Sequence, residues 1–189
     1  ISADSNGTDA SLTITDENNG SLEVSGSNHG IFVKSGTGDA SLNIEKATVT
    51  SSTNSNYAAG VYVMSSIEAN VSPNLSLAVN GGSLTTSGSE GNDGIQFIVG
   101  SSQASNATTS LTVSDDAIVR ANGGIKASRV DEPTPSGTGI VFDGTEGTVY
   151  GNVELQENLE ISEGESLKLD NDASLNTGGH NVIVDGGTL

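Results

Sequence analysis

A short apolar step, Leu-x-Ile or Leu-x-Val after a serine, recurs along the chain and limits what it can fold into. The clearest copies occupy residues 11–14, 41–44, 76–79 and 110–113. With weaker copies added, the first apolar residues of the series lie 19 to 35 residues apart and are Leu12, Leu42, Leu77, Leu111, Ile140, Leu159 and Val182. Repeats of this length are typical of solenoids, in which each repeat buries its apolar side chains against its neighbours.

Each repeat contains further segments in which apolar and polar residues alternate, the period of a β-strand. A second segment follows the first and begins at Leu22, Val49, Leu84, Val119, Val153 and Leu167. A third follows a glycine and begins at Ile31, Val61, Ile95 and Ile125. Turn-forming Gly, Asn, Ser and Asp separate the segments, and no stretch has a sustained helical period. We therefore expect almost no helix.

These segments predict an all-β chain, a right-handed parallel β-helix of about six coils with three short strands per coil. Strands of successive coils would pair, so that equivalent apolar residues form inward ladders. One ladder would contain Leu12, Leu42, Leu77 and Leu111, and another Ile31, Val61, Ile95 and Ile125.

The domain organisation predicted is one β-helix over residues 1–189. The closing Gly-Gly-Thr-Leu repeats the interior Gly-Gly-Ser-Leu of residues 81–84, and no distinct capping segment follows it. Since a solenoid needs its open edge covered, we expect the chain to be a fragment of a longer protein.

Composition excludes several classes of partner. The net charge is −18, with 24 acidic residues against six Lys and Arg. Binding to nucleic acid needs clustered basic residues, and none are present. No apolar run is long enough for a membrane helix, so we expect no membrane insertion. The chain has no cysteine, which excludes disulfides and thiolate metal sites. High negative charge keeps a secreted protein soluble.

Residues 153–169 read VELQENLEISEGESLKL. Together with Asn152, this stretch resembles a tandem repeat of large surface proteins of Gram-positive gut bacteria. Residues 20–150 are more loosely similar to adhesin-like and pectin-lyase-like parallel β-helix proteins. The resemblance implies an extracellular or cell-surface location, wall attachment elsewhere in the full protein, and a role as adhesin or stalk. Its motifs are structural, and it transfers no catalytic residue.

The outward position of the third strand is the candidate ligand-binding row, and it holds Phe32, Tyr62, Gln96 and Lys126. An in-register Phe32–Tyr62 pair would form a flat aromatic platform on which a sugar ring can stack. The alternative is that a long loop folds over this wall and buries the rings. Long loops are predicted on one side of the array, over residues 64–73, 100–109 and 128–139, where insertions usually mark a binding face.

The function predicted is a non-catalytic adhesin-like or display domain that binds a glycan or a host protein through this side. One alternative is a passive stalk or spacer. Another is a polysaccharide lyase or glycoside hydrolase, since acids and bases crowd together only around Asp115, Asp116 and Arg120, with Lys126 and Arg129 following. His29 and His180 are expected about six coils apart, too far to share a site.

We expect no cofactor and no metal. Residues 91–95 and 170–172 each match part of a calcium loop, but neither contains the complete set of ligands. Solvated turns are the alternative that we favour for both.

Overall fold

The computed structural model describes residues 1–16, 18, 20–55, 58–66, 71–88, 93–100 and 106–189. All regular structure in these residues is β, as predicted, and none of it is helical. The strands are β1 (Ser2–Ser5), β2 (Ala10–Thr15), β3 (Ser21–Gly26), β4 (Ile31–Ser35), β5 (Ala40–Thr53), β6 (Val61–Ser65), β7 (Asn74–Ser87), β8 (Ile95–Val99), β9 (Thr108–Asn122), β10 (Ile125–Ser128), β11 (Pro135–Asp143), β12 (Glu146–Tyr150), β13 (Asn152–Glu154), β14 (Leu159–Ile161), β15 (Ser166–Leu169), β16 (Ser174–Asn176) and β17 (Val182–Val184).

A five-stranded parallel sheet contains the predicted third strands, in the order β1-β4-β6-β8-β10. Strand alternation turns Ile31 and Val33 inward, where they are fully buried, and turns Phe32 outward. The predicted inward ladder is confirmed, because the residues paired across β4, β6, β8 and β10 are Ile31, Val61, Ile95 and Ile125.

An eight-stranded sheet contains the first and second segments, in the order β15-β12-β11-β9-β7-β5-β2, with β3 also paired to β5. The other predicted ladder is confirmed here, since the residues paired across β2, β5, β7 and β9 are Leu12, Leu42, Leu77 and Leu111. Sequence spacing alone therefore gave the correct register for β4, β6, β8 and β10 and for β2, β5, β7 and β9.

The first and second segments of a repeat are not separate strands in β5, β7 and β9, which contain 14, 14 and 15 residues. Each long strand turns a corner through residues with positive φ: Lys46 in β5, Gly81 and Gly82 in β7, and Asp115 and Asp116 in β9. One or two residues in the left-handed region redirect the chain while pairing with the neighbouring strand resumes on both sides. The expectation of three separate strands per repeat was therefore wrong for these repeats.

The direction of the chain reverses between β11 and β12, the antiparallel pair among the described strands. Gly144, with φ of 61°, lies in the turn that joins them. Beyond it, parallel pairing resumes in the pairs β12–β15, β13–β16 and β14–β17. We call residues 1–143 the N-terminal part and residues 146–189 the C-terminal part. Both sheets of the N-terminal part are parallel, and the eight-stranded sheet becomes mixed at this reversal.

Two buried clusters lie on opposite faces of β11. Val141 belongs to the large cluster of the N-terminal part, whereas Ile140 and Phe142 belong to a second cluster formed with the C-terminal part. Adjacent residues of a strand point to opposite faces, so this strand is covered on both sides. All three side chains are buried accordingly.

Three sequence assignments near the reversal were wrong. Ile140 was expected beside Leu111, but it pairs with Ile118, and Pro135 pairs with Leu111. Val153 and Leu167 were expected in one row, but their partners are Leu175 and Gly147 respectively. Leu159 does pair with Val182, as the series of first apolar residues predicted. A continuous apolar run such as residues 140–142 fits either face, so alternation could not decide the assignment.

Candidate ligand-binding face

The predicted row lies in register on the outer face of the five-stranded sheet. Phe32 pairs with Tyr62, Tyr62 with Gln96, and Gln96 with Lys126. Strand pairing brings the Phe32 and Tyr62 rings to a centroid distance of 5.5 Å. Their planes are tilted by 33°, so the two rings meet at an angle and do not form the flat platform that was expected. Both side chains are half-buried.

The ring of His29 packs against these two rings, and sequence reasoning did not predict this contact. Its ring stacks on Phe32 at 5.3 Å with an interplanar angle of 10°, and its centroid lies 4.1 Å from that of Tyr62. Its Nδ1 accepts a hydrogen bond of 3.3 Å from the backbone N–H of Ala59. The sequence signal was its position, because His29 directly precedes the glycine that opens the third strand and lies three residues before Phe32. We call His29, Phe32 and Tyr62 the aromatic cluster.

A concavity of about 410 Å³ borders the aromatic cluster and is lined by Ile1, Ser2, Asn28, His29 and Phe32. The backbone nitrogen of Ile1 donates a hydrogen bond of 2.8 Å to the carbonyl oxygen of Gly30. A volume of this size is in the range of small-molecule sites.

The opposite end of the row is polar and charged. The Lys126 ammonium lies 3.9 Å from the Glu132 carboxylate, and both side chains are exposed. Burial raises the pKa of Asp93, while the positive charge of Lys126 opposes this shift. Arg129 donates through Nη1 to the carbonyl oxygen of Gly100, at 2.8 Å. The row therefore passes from aromatic rings to hydrogen-bonding and charged groups.

Burial also shifts the ionisation of the aromatic cluster. It lowers the pKa of His29, and the hydrogen bond with Ala59 opposes this shift. It raises the pKa of Tyr62, and the positive charge of Arg129 opposes that shift. At neutral pH the cluster therefore presents neutral rings, which is the state suited to stacking.

Acidification is expected to destabilise the folded chain through His29. Because the pKa of His29 in the folded chain is below the ordinary 6.5, the unfolded chain binds the proton first as the pH falls. The stabilisation is complete above the unfolded pKa and is lost as the pH falls toward the folded one. Urea unfolding at about pH 7.5 and pH 5.5 measures it. A His29→Asn chain should lose less stability on acidification than a His180→Asn control, and equal losses would contradict the assignment.

The predicted loops are described only in part. Residues 67–70 and 101–105, which belong to the loops expected over 64–73 and 100–109, lie outside the described residues. The third loop was expected over residues 128–139. Its predicted end is too late, because β11 begins at Pro135. Pro135 and Gly137 pair with β9, and this pairing takes that segment out of the loop.

The acidic and basic residues considered for catalysis separate into different roles. Arg120 donates through Nη1 to Oε1 of Glu165 at 2.7 Å and through Nη2 to the carbonyl oxygen of Glu160 at 2.6 Å. Its guanidinium carbon lies 3.9 Å from the centroid of the Phe142 ring. Arg120 therefore joins the N-terminal and C-terminal parts. Asp115 and Asp116 form a corner of β9, and Lys126 lies on the other sheet.

The partial calcium motifs acquire no further ligands in the part of the chain that the structure describes. No group of three or more His, Cys, Asp or Glu side chains there is arranged to hold a metal ion. Asp172 adopts a positive φ of 59°, which is typical of a turn. Residues 91 and 92 of the other motif lie outside the described residues.

Comparison of the chain with known proteins finds no match. No family model matches it, and neither curated proteins nor solved structures have a significant similarity to it. Among the described residues, no helix has the length and hydropathy needed to cross a bilayer.

Proposed function

We propose that this chain is a right-handed parallel β-helix that serves as an adhesin-like domain of an extracellular bacterial surface protein. Its ligand would be a glycan, bound on the face that carries Phe32, Tyr62, Gln96 and Lys126, with His29 beside them. The observation that carries the proposal is the in-register aromatic cluster on the outer face of a sheet. The chain has only three Phe and three Tyr, and two of these six are adjacent here.

The reversal at Gly144 is compatible with a single hand of coiling. The strand direction reverses between β11 and β12, and the buried side of the sheet also changes, from the cluster of Val141 to that of Phe142. The hand of a coil depends on the strand direction, on the buried side of the sheet and on the direction in which strands are added along the axis. The first two both reverse here, while the order β9-β11-β12-β15 keeps the third, so the hand of coiling is unchanged. Both parts then coil with the same hand, and parallel crossovers strongly prefer the right-handed one.

The chemistry of the row suits a saccharide. Aromatic rings pack against the apolar face of a pyranose, while the Gln96 amide and the Lys126 ammonium can bind hydroxyl groups. Half-burial of Phe32 and Tyr62 leaves part of each ring in contact with solvent. Rings already held by packing lose little side-chain entropy on binding.

Replacing Tyr62 by alanine is expected to weaken glycan binding by about tenfold or more, equivalent to about 1.4 kcal/mol, through loss of the stacking surface. A glycan array probed with the wild-type chain and Tyr62→Ala identifies the ligand and measures the loss. Tyr62→Phe serves as the matched control, since it keeps the ring and should retain most of the affinity. Binding that survives Tyr62→Ala would remove this face as the site, and a wild-type chain that binds nothing would favour the passive stalk.

A further inference from the structure

A cleft of about 370 Å³ lies on the eight-stranded sheet, away from the aromatic cluster. Its floor is a row of outward side chains, Thr48, Ser83 and Ile118, paired across β5, β7 and β9. The corner residues Lys46 and Asp115 and residues 156–157 of the C-terminal part complete the lining. The cleft exists because the C-terminal part packs on the outer face of this sheet.

Hydrogen bonds of Asp116 fix the shape of this cleft. Its Oδ1 accepts from the backbone N–H of Glu154 at 3.1 Å, and its Oδ2 accepts from Nε2 of Gln156 at 3.4 Å. Nε2 of Gln156 also donates to the carbonyl oxygen of Glu154 at 3.2 Å. These bonds join the corner of β9 to the end of β13 and the segment that follows it, so these parts of the cleft are held together before any ligand enters.

Other polar groups that line the cleft are free to bind a ligand. Within the described residues, no hydrogen bond or ion pair occupies the Lys46 ammonium, the Asp115 and Glu157 carboxylates, or the Thr48 and Ser83 hydroxyls. Lys46 is one of only six basic residues in the chain. An ammonium donates three hydrogen bonds, carboxylates accept them, and hydroxyls do both.

This set of groups selects a neutral, hydroxyl-rich ligand. Sugar hydroxyls can donate to Asp115 and Glu157 and accept from Lys46, while Ile118 offers a small apolar surface to the ring. An anionic ligand would meet two unpaired carboxylates beside one ammonium, and the net charge of −18 adds to that repulsion. The volume is at the lower end of the range for small-molecule sites.

We propose that this cleft binds a neutral saccharide of one or two pyranose rings, at a site separate from the aromatic cluster. The inference does not depend on the aromatic cluster binding anything. It gives the C-terminal part a role in recognition, because residues 156–157 complete the site.

Two-dimensional NMR of the full chain tests the proposal. The neutral probes are cellobiose, lactose and di-N-acetylchitobiose, and glucuronic acid is the acidic probe with which their binding is compared. At least one neutral disaccharide is expected to shift the amide signals of Ser83, Asp115 and Gln156 in a saturable way. Lys46→Met should raise the dissociation constant about tenfold by removing one charged donor. Lys168→Met is the matched control and should leave the dissociation constant unchanged.

Tyr62→Ala separates this proposal from the proposed function, because it should leave the titration of the cleft unchanged. Absence of saturable shifts at the cleft with all three neutral probes would overturn the proposal. So would shifts that move to Phe32 and Tyr62, tighter binding of glucuronic acid than of the neutral probes, or equal affinity of Lys46→Met and wild type. Thermal unfolding of each variant confirms that the comparison is made between folded chains.

Discussion

Replacing Phe142 by alanine is expected to lower the free energy of unfolding by about 3–5 kcal/mol, the range for truncating a fully buried phenylalanine. The Phe142 side chain has no exposed surface and lies in the second buried cluster. Its ring also supports the Arg120 guanidinium, 3.9 Å from the ring centroid. The substitution leaves a cavity and removes this cation–π contact where the two parts of the chain meet. Urea unfolding followed by circular dichroism measures the loss.

Gly147 provides an internal check on that result. A Cβ on Gly147 would lie 2.6 Å from Cε1 of Phe142 and 2.9 Å from Cδ1 of Leu167, so Gly147→Ala alone should destabilise the chain by about 1–3 kcal/mol. In the Phe142→Ala background the same methyl group should cost much less, because the ring is gone. A double-mutant cycle with no coupling would contradict the packing described for this cluster. Phe32→Ala, on the outer face, should destabilise less than Phe142→Ala.

Replacing Gly137 by alanine is expected to cost about 3 kcal/mol or more, for two physical reasons that add. Gly137 has a φ of 111°, which side chains of L-residues rarely adopt. Its Cβ would also clash with the carbonyl oxygen of Val113 on the neighbouring strand. The obstacle is backbone, so it cannot rotate away as a flexible side chain would. Gly137 lies where the register between β9 and β11 shifts, and the substitution should disturb that pairing.

Gly164→Ala is the matched control for this prediction. Gly164 also has a positive φ, of 80°, but no atom lies within 4 Å of its added Cβ. Only conformational strain should oppose that substitution, at about 1–2 kcal/mol. Urea unfolding of both variants separates the two contributions. If Gly137→Ala were no more destabilising than Gly164→Ala, the close approach of β11 to Val113 would be wrong.

Sequence reasoning was accurate where the chain repeats itself. The alternation of apolar residues and the distance between copies placed Leu42, Leu77 and Leu111 in one row and Phe32 beside Tyr62. Such rows depend on two local quantities, the strand period of two residues and the length of each repeat. Insertions in loops alter the repeat length without moving the strands out of register, which is why uneven spacings still gave the correct pairs.

Sequence reasoning was less accurate for side chains whose partners are not the residues paired with them on neighbouring strands. Asp115, Asp116 and Arg120 are close in sequence, yet Arg120 binds Glu165, 45 residues away, and Asp116 binds Glu154. His29 was set aside because it is remote from His180, although its partners are in its own and the next repeat. Sequence proximity does not determine which of these contacts form, because the fold of the C-terminal part decides them.

What the sequence by itself determined is the all-β class, the two inward ladders and the outer row from Phe32 to Lys126. Tertiary structure decided the reversal after Asp143, the second buried cluster and the cleft beside Asp116. The reason is that an alternating pattern is the same for parallel and antiparallel strands, and residues 140–142 are apolar on both faces. Only packing of the C-terminal part against Ile118 and Phe142 selects the face and the direction.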